Sequence, residues 1–283
     1  MQFATWNVNS LAVRLPQLLD WLAANPVDAI VLQETKLTDD KFPRAEIEAA
    51  GYQVHFHGQK TYNGVALLSR TLATEALKNI PGLDDAQARV IAGTVESVHG
   101  GVRVIGAYFP NGQAPDSDKF VYKMRWQNAL HDWVQSELER HPRVVFMGDF
   151  NVAPDDRDVY DPVGWMNQIH CTPEERAQFQ RLLALGLVDT FRLFEQPVKS
   201  WTWWDYRNLA FRKNQGLRID HILVSAALRP LVQACTIEKA VRKNERPSDH
   251  APVVVTLADR NGRLVVRPAG AFSLPAPVPG SCA

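Results

Sequence analysis

An acid and an amide stand two residues apart after a short apolar run in the middle of the chain. The run covers residues 144–147, and Asp149 and Asn151 follow it after one glycine. Four consecutive apolar residues are typical of a strand that is buried on both faces. On a strand, positions two apart share a side, so both side chains would project together from its end. A carboxylate beside a neutral donor suits attack on a phosphate, whereas an Asp-x-Asn turn that closes a core strand explains the same residues equally well.

Other strand-like segments of the chain also end in polar side chains of the kinds that bind metals or move protons. Besides Asp149 and Asn151, these residues are Asn7, Glu34, Tyr108, Asp220, Asp249 and His250. Because the same ends of neighbouring strands border one crevice in an open α/β sheet, we expect these side chains to converge. Oxygen ligands with few histidines favour Mg²⁺ or Mn²⁺ over Zn²⁺. Metal-assisted attack of water on a phosphodiester is the simplest chemistry for this set.

Sequence motifs for several other chemistries are missing. The chain has no Gly-x-Ser-x-Gly elbow, no Walker A loop and no Gly-x-Gly-x-x-Gly loop, so neither a serine nucleophile nor a nucleotide cofactor is expected. Cys171, Cys235 and Cys282 are far apart and outside any Cys-x-x-Cys pattern. This spacing argues against a structural zinc site or a disulfide framework and favours a reducing compartment.

The elements that must position these residues follow an α/β pattern. Strands are predicted at residues 3–8, 28–33, 64–69, 102–107, 144–147, 219–224 and 253–255, and helices at 11–22, 117–140 and 172–186. The last helix begins with a threonine cap, a proline and a glutamate, which together mark a helix start. Residues 154–162 are rich in aspartate and proline, so they are expected to form an exposed loop. Strands that alternate with helices at this spacing indicate layered α/β structure.

One domain of residues 1–258 and a C-terminal tail are predicted. The chain has 283 residues, 46% of them hydrophobic, which allows a sizeable core. Proline, alanine and glycine dominate the last part of the chain, so residues 259–283 are predicted to be a largely disordered tail. The start of the chain lacks the features of a signal peptide, and no stretch approaches membrane-spanning length. A cytoplasmic protein without a membrane partner is therefore expected.

The global charge gives no support to nucleic-acid binding. Lys+Arg and Asp+Glu both number 31, so only a local basic face could serve. Residues 200–218 interleave aromatic with basic side chains, which suits unstacked nucleotides but also a core-edge cluster. Because Trp203 and Trp204 are adjacent, one should face inward and the other outward. A solvated basic face is expected from Lys239, Arg242, Lys243 and Arg246.

Seven motifs, in order along residues 1–258, resemble those of the exonuclease III family. They are Thr5-Trp6-Asn7-Val8-Asn9-Ser10, Leu32-Gln33-Glu34, Tyr62-Asn63-Gly64-Val65-Ala66, Tyr108-Phe109-Pro110-Asn111-Gly112, Gly148-Asp149-Phe150-Asn151, Gly216-Leu217-Arg218-Ile219-Asp220 and Pro247-Ser248-Asp249-His250-Ala251-Pro252. Members of this family are Mg²⁺-dependent DNA-repair nucleases with AP-endonuclease and 3′-end-processing activities. The resemblance implies a four-layer α/β sandwich, with two central mixed β-sheets packed face to face and helices outside.

The resemblance also implies roles for individual residues. Catalytic roles would fall to Tyr108, Asp149, Asn151, Asp220 and His250; metal binding to Asn7, Glu34, Asp149, Asn151, Asp249 and His250; and DNA contacts to Arg89, Asn111, Lys119, His170, Trp203, Arg207 and Asn214. In this scheme Glu34 is the main ligand of Mg²⁺, which Mn²⁺ could replace, and Asp149 orients or deprotonates the attacking water. His250, held by Asp220, steadies the charge that develops on phosphorus. The expected substrate is double-stranded DNA with abasic sites, nicks, gaps or blocked 3′ ends, bound by a monomer.

Three narrower or competing hypotheses stay open. In the family, the neighbourhood of His170 approaches the DNA minor groove, so a bulky imidazole there would favour end processing over internal abasic cleavage, unless it merely packs locally. A phosphoinositide or sphingolipid hydrolase of the same fold is disfavoured by the aromatic and basic stretch at 200–218. A catalytically silent nucleic-acid-binding module would be expected to lack Glu34, Asp149 or His250, and all three are present.

Overall fold

Two six-stranded β-sheets form the centre of the protein, as seen in a computed structural model that describes residues 1–259. The strands are β1 (Gln2–Asn7), β2 (Ala29–Gln33), β3 (Gln53–His57), β4 (Val65–Ser69), β5 (Thr74–Lys78), β6 (Val90–Val95), β7 (Val102–Tyr108), β8 (Val144–Asp149), β9 (Leu187–Asp189), β10 (Asp220–Ser225), β11 (Val232–Ile237) and β12 (Val253–Leu257). The first sheet has the order β11-β12-β1-β2-β4-β3, and the second β5-β6-β7-β8-β10-β9. Only β1 with β2 and β7 with β8 pair in parallel, so both sheets are mixed.

Four α-helices cover the outer faces of the two sheets. They are α1 (Leu11–Ala24), α2 (Arg44–Ala49), α3 (Asp118–Arg140) and α4 (Pro173–Ala184). Apolar side chains of α1 and α2 pack on the first sheet, and those of α3 and α4 pack on the second. The predicted start of α4 is confirmed, because Thr172 and Glu175 form a reciprocal capping box. A helix layer, the two sheets and a second helix layer form the four layers that the resemblance implies.

The sheets pack face to face through alternating residues of their strands. Met147 on β8 and Ile222 on β10 meet Val31 of the first sheet in this central core, whereas their chain neighbours face the helices. The approach is close at Gly106, because a Cβ atom there would lie 2.2 Å from a methyl carbon of Val31. A larger residue at position 106 would push the sheets apart.

The predicted elements agree with the structure to within two residues at each boundary. The strands and helices predicted from the sequence do not include β3, β5, β6, β9, β11 or α2. The strand β5 is an exposed sheet edge, and β9 has only three residues, so neither shows a clear alternation of apolar and polar side chains. The domain boundary at residue 258 stays a prediction, because residues 260–283 of the predicted tail lie outside the described part. Within residues 1–259, no helix is long and apolar enough to cross a membrane.

The prediction of an exposed loop at 154–162 is partly wrong, because Asp158 and Val159 are buried. Asp158 accepts a hydrogen bond of 2.6 Å from Nε of Arg218, and Asp189 accepts one of 2.8 Å from Nη2 of the same guanidinium. Arg218 is itself only 1% exposed. A buried guanidinium requires paired carboxylates, so the loop folds inward to supply one of them.

The predicted solvated basic face is also partly wrong, because Arg242 is buried. Its guanidinium carbon lies 4.9 Å from the ring centre of Phe211 and 5.7 Å from that of Trp204, and it donates to the carbonyl of Ser248. Arginine packs well on aromatic faces because of its flat, weakly hydrated head group. Trp204 is fully buried and Trp203 only half-buried, as their adjacency predicts.

We expect Arg218→Met to lower the free energy of unfolding by about 3–5 kcal/mol, because two buried carboxylates lose their partner. Urea denaturation followed by tryptophan fluorescence measures the change. Arg157→Met is the matched control, because this arginine is exposed and pairs with Asp155 on the surface; its effect should stay within about 0.5 kcal/mol. A loss below about 1 kcal/mol for Arg218→Met would contradict the account, because exposed pairs contribute that much.

Candidate active site

The predicted catalytic and metal-binding residues meet at one edge of the molecule, between the two sheets. Asn7, Tyr108 and Asp149 are the last residues of β1, β7 and β8, and Glu34 follows β2 directly. Asp220 is instead the first residue of β10, which runs antiparallel to β8 and pairs it with Asp149. The side chains therefore converge as the sequence predicts. They come both from the ends of parallel strands and from the starts of antiparallel strands.

Strand periodicity explains why these side chains point into the gap between the sheets. Val145 and Met147 of β8 belong to the central core, and Asp149 continues the same alternation. Asp220 stands two residues before Ile222 of the same core. The apolar core thus ends in a row of polar groups where the sheets reach the surface.

The side-chain amide of Asn7 joins the two sheets at this edge. The Nδ2 atom of Asn7 donates to Oε1 of Glu34 at 2.8 Å and to Oδ2 of Asp149 at 2.9 Å. Glu34 belongs to the first sheet and Asp149 to the second. Two carboxylates repel each other when they share a buried site, so a donor to both is needed to hold them together.

The carboxylate of Glu34 is held ionised. The backbone of this residue adopts a left-handed conformation, with φ +52°. Burial alone would raise its pKa, but Lys36, whose Nζ lies 2.9 Å from Oε2, and the amide of Asn7 lower it below its usual range. Burial and the nearby carboxylates of Glu34 and Asp149 raise the pKa of Tyr108 well above its usual range, so its hydroxyl stays protonated.

His250 is held in its charged form between two carboxylates. Its Nδ1 atom lies 2.8 Å from Oδ2 of Asp220, and its Nε2 atom lies 3.7 Å from Oδ2 of Asp149. Burial would lower the pKa of His250, but Asp220 and Asp149 raise it to about 10. The imidazolium therefore presents an N–H group to the site at neutral pH.

Asp149 is buried, and it is set up to take a proton. Burial and the charge of Asp220 raise its pKa, whereas His250 and Asn7 act in the opposite direction. Its Oδ1 atom accepts the backbone N–H of Asn151 at 3.0 Å, and Asn151 adopts a left-handed conformation with φ +50°. The Asp-x-Asn turn that the sequence left open is thus present within the converged site.

The donor chemistry of this site fits a hard divalent cation. Among residues 1–259, one group of ligand atoms within 4.8 Å of one another is found, on Asp149, Asp220 and His250. The protonated ring of His250 has no free electron pair for a metal, so carboxylate oxygens are the suitable donors. Oδ1 of Asp220 is buried without a hydrogen-bond partner in that part of the chain. Both oxygens of Asp249 accept hydrogen bonds at 3.0 Å, from Asn9 and Trp203.

Three of the predicted DNA contacts line one groove beside Tyr108. Arg89, Asn111 and Lys119 border a groove of about 710 Å³ that also includes Tyr108. Asn111 and Lys119 are exposed, whereas Arg89 is buried, with its guanidinium 5.0 Å from the ring centre of Tyr108. Arg89 also donates to the Tyr108 carbonyl, so it holds this tyrosine from below.

Trp203 and His170 lie together on another side of the site. The His170 ring is centred 6.4 Å from Trp203 and 6.3 Å from Trp165. Burial lowers the pKa of His170 to about 4, so its ring is neutral, and its Nδ1 donates to the Asn151 carbonyl at 2.8 Å. The indole N–H of Trp203 donates to Asp249. Both aromatic side chains are therefore fixed before any substrate arrives.

Arg207 and Asn214 lie away from the carboxylates. Arg207 is exposed and pairs with Asp205 at 2.6 Å. Asn214 accepts hydrogen bonds from the indole of Trp204 and from Lys239, in a basic hollow of about 500 Å³. The structure does not bring these two residues into contact with the converged site.

Two lysines of the site escape the sequence analysis. Lys36 binds Glu34 from two residues further along the chain. Lys123 is fully buried and hydrogen-bonded to the carbonyls of Asn111 and Asn151. The burial of Lys123 could be predicted from the sequence, because it precedes Trp126 and Leu130 by three and seven residues and therefore shares their apolar helix face. A lysine at a core position signals a buried partner.

We expect Asp220→Asn to bring the pKa of His250 down from about 10 to near its ordinary value of 6.5, because the nearest balancing charge is lost. Titration of the ring nitrogens by NMR measures it. The native ring should stay protonated from about pH 6 to 9, and the variant ring should lose its proton within that range. His170 and His221, with pKa values near 4, are internal references. Unchanged titration in the variant would contradict the ion pair.

The same ion pair links protonation to stability. The pKa of His250 is higher in the folded chain than its ordinary value of 6.5. The pair therefore stabilises the fold fully below that pH and loses its contribution as the pH rises through about 10. In Asp220→Asn this part of the pH dependence should disappear.

Comparisons with known proteins show the family of the chain. Residues 4–250 match the model of the Endonuclease/Exonuclease/phosphatase family. Exodeoxyribonuclease III of Haemophilus influenzae is 37% identical over 89% of this chain and 98% of its own. A 3′ phosphatase from Neisseria, solved bound to product DNA hairpin, is 49% identical, with a TM-score of 0.88 over 91% of this chain and 99% of that chain.

An AP endonuclease from Archaeoglobus fulgidus is 33% identical, with a TM-score of 0.86 and coverage of 91% of this chain and 99% of that chain. The family match spans most of the sequence, and the related proteins are covered almost completely. The chain therefore belongs to the Endonuclease/Exonuclease/phosphatase family, as a hydrolase of the exonuclease III type.

Proposed function

We propose that this protein is a Mg²⁺-dependent DNA-repair hydrolase that acts mainly on the 3′ ends of damaged duplex DNA. The observation that carries the proposal is the junction of Glu34 and Asp149 through Asn7, beside a protonated His250. This arrangement supplies acceptors for a metal and a water on one side and a charged donor for phosphate on the other.

Glu34 is the main ligand in the proposed metal site, with Asn7 and Asp149 beside it. Glu34 fits because its pKa is low and one of its oxygens faces Lys36, whose charge a bound cation can replace. His250 fits least of the predicted ligands, because its ring is protonated. When bound, Mg²⁺ polarises the phosphate and stabilises charge on the leaving oxygen, and Mn²⁺ could take its place.

The residues of the chain itself supply the proton transfer and the charge stabilisation. Asp149 orients a water molecule and accepts its proton, for which burial has raised the carboxylate pKa. His250 and the Asn151 amide donate to the phosphate oxygens as negative charge develops there. Tyr108, kept protonated, donates from the side of the groove that Arg89 braces.

The proposed DNA path crosses this site from the groove to the tryptophan side. Asn111 and Lys119 would contact the backbone in the groove, and Trp203 would pack against the terminal nucleotide. Arg207 and Asn214 would meet the duplex further out, because neither touches the carboxylates. A lipid phosphodiesterase is not supported, since the relatives reported above are named as nucleases or as a 3′ phosphatase and the groove beside Tyr108 carries basic and aromatic side chains.

His170 supports the choice of 3′ ends over internal abasic sites. His170 is only 5% exposed, and its ring contacts the rings of both Trp165 and Trp203. Two hydrogen bonds fix it there: its Nδ1 donates to Asn151, and its carbonyl accepts from the N–H of Ala153. An abasic sugar within a continuous strand would need the space that this ring occupies, whereas a terminal residue can enter without it.

The test uses three labelled duplexes: an internal abasic analogue, a 3′-phosphate at a gap and a recessed 3′-hydroxyl end. The native protein should process the 3′-phosphate and the recessed end with Mg²⁺, cleave the abasic site poorly and lose activity in EDTA. His170→Gly should raise abasic-site cleavage by on the order of 10-fold or more, because the blocked space opens. Asp149→Asn controls for contaminating nuclease.

The outcomes separate the alternatives. Strong abasic cleavage by the native protein, unchanged in His170→Gly, would make the enzyme an AP endonuclease and reduce His170 to a packing residue. Activity on no duplex would contradict the repair function itself and leave a silent binding module. That module is otherwise unsupported, because Glu34, Asp149 and His250 are all present and converge.

A further inference from the structure

A fully buried lysine lies beneath the site, and none of the roles above uses it. Lys123 on α3 has no solvent exposure, and its ammonium donates to three oxygen atoms. One belongs to the carboxylate of Glu175; the others are the backbone carbonyls of Asn151 at 2.8 Å and Asn111 at 3.2 Å. All three ammonium protons are thus satisfied, which a buried charge requires.

Glu175 divides its two oxygens between Lys123 and the start of α4. Its Oε2 atom accepts from the backbone N–H of Thr172 at 3.1 Å and from the Thr172 hydroxyl at 2.9 Å, which completes the capping box. Its Oε1 atom binds Lys123. The pair therefore connects α3, the start of α4 and the two loops that follow β7 and β8.

Stability alone gives little reason for such a pair. Apolar residues of similar volume often replace a buried ion pair without loss, because the desolvation of both charges offsets their attraction. Apolar residues cannot, however, donate to the carbonyls of Asn111 and Asn151. Asn151 adopts φ +50°, and its carbonyl is held by two donors, Lys123 and His170. The lysine therefore fixes backbone positions that its loop would not hold unaided.

The side-chain amides of these two loop residues contact each other. Nδ2 of Asn151 donates to the carbonyl of Phe109 at 2.9 Å, and Oδ1 of Asn151 lies 3.4 Å from Nδ2 of Asn111. The two amides are thus coupled side by side, and one ammonium holds both backbones from below.

We propose that Lys123 is a positioning residue for the reaction, whose ammonium fixes the carbonyls of Asn111 and Asn151 and thereby aims both amides at the substrate phosphate. The inference rests on the roles proposed above for these two asparagines. Lys123 does not touch the substrate, because it is completely covered by the loops that it holds.

The main test is the double variant Lys123→Met with Glu175→Gln. It removes both charges together, so no unpaired buried charge remains, and the glutamine carbonyl can still accept from Thr172; the variant should fold, with a thermal midpoint below that of the native protein. Removal of 3′-phosphate should lose on the order of 10- to 100-fold in kcat, because the amides lose their alignment. Glu175→Gln alone keeps the donors of Lys123, so its kcat should stay within about threefold of the native value.

The control is a second buried pair on the same helix. Arg103 on β7 and Glu137 on α3 are equally buried and bonded at 2.5 Å, but Glu137 lies about 21 Å along the helix from Lys123. Arg103→Met with Glu137→Gln should change neither kcat nor KM at temperatures where it is folded. A general effect of losing buried charges would lower both double variants alike.

Two results overturn the inference. One is a folded Lys123→Met, Glu175→Gln double variant with kcat within about twofold of native. The other is a folded Glu175→Gln variant that loses as much kcat as expected for the double variant, since the ion pair and not the carbonyl contacts would then matter. Asn151→Ala distinguishes a failure of the proposed role of Asn151 from a failure of the proposed role of Lys123. If this variant keeps native kcat, the proposed role of Asn151 fails, whatever the lysine variants do.

Discussion

The site depends on one hydrogen-bonding group, the side-chain amide of Asn7, which donates to a carboxylate from each sheet. The sheets meet through an apolar core that cannot itself hold two acids together at its edge. Like charges at close range raise each other's pKa and drive proton uptake or separation. Lys36 and this amide keep Glu34 ionised, whereas burial and Asp220 raise the pKa of Asp149, the proposed base. The division of roles between the two acids follows from this arrangement.

The surrounding structure holds the groups that face this junction. Asp220 keeps His250 charged, and Arg218, two residues earlier, anchors the start of the same strand through Asp158 and Asp189. Arg89 braces Tyr108 in the same way. Buried polar groups of this kind contribute little net stability, but they leave few alternative positions for the side chains above them. Catalytic geometry needs this restriction, since small displacements cost much of the rate.

Local periodicity predicts most strands and helices and the convergence of the polar side chains, whereas the two-sheet architecture comes from the family resemblance. Alternation on β8 places Asp149 on the face of Met147, and the same count places Asp220 on the face of Ile222. The edge strands β5 and β9 escape prediction because they lack alternation. The inward fold of loop 154–162 and the burial of Arg242 escape it because each depends on partners distant in sequence. Lys123 could be predicted only in part. Its position on the apolar face of the helix indicates that it is buried, but not which oxygen atoms it binds.

The most direct test of this account is the rate of 3′-phosphate removal by Asn7→Ala across a titration of Mg²⁺, with Asn25→Ala, whose amide only caps α1, as the control. The account predicts a loss of kcat on the order of 100-fold and a higher Mg²⁺ concentration for half-maximal rate, because both carboxylates lose their shared donor. A folded Asn7→Ala variant with native kcat and native Mg²⁺ dependence would contradict the claim that this amide builds the site.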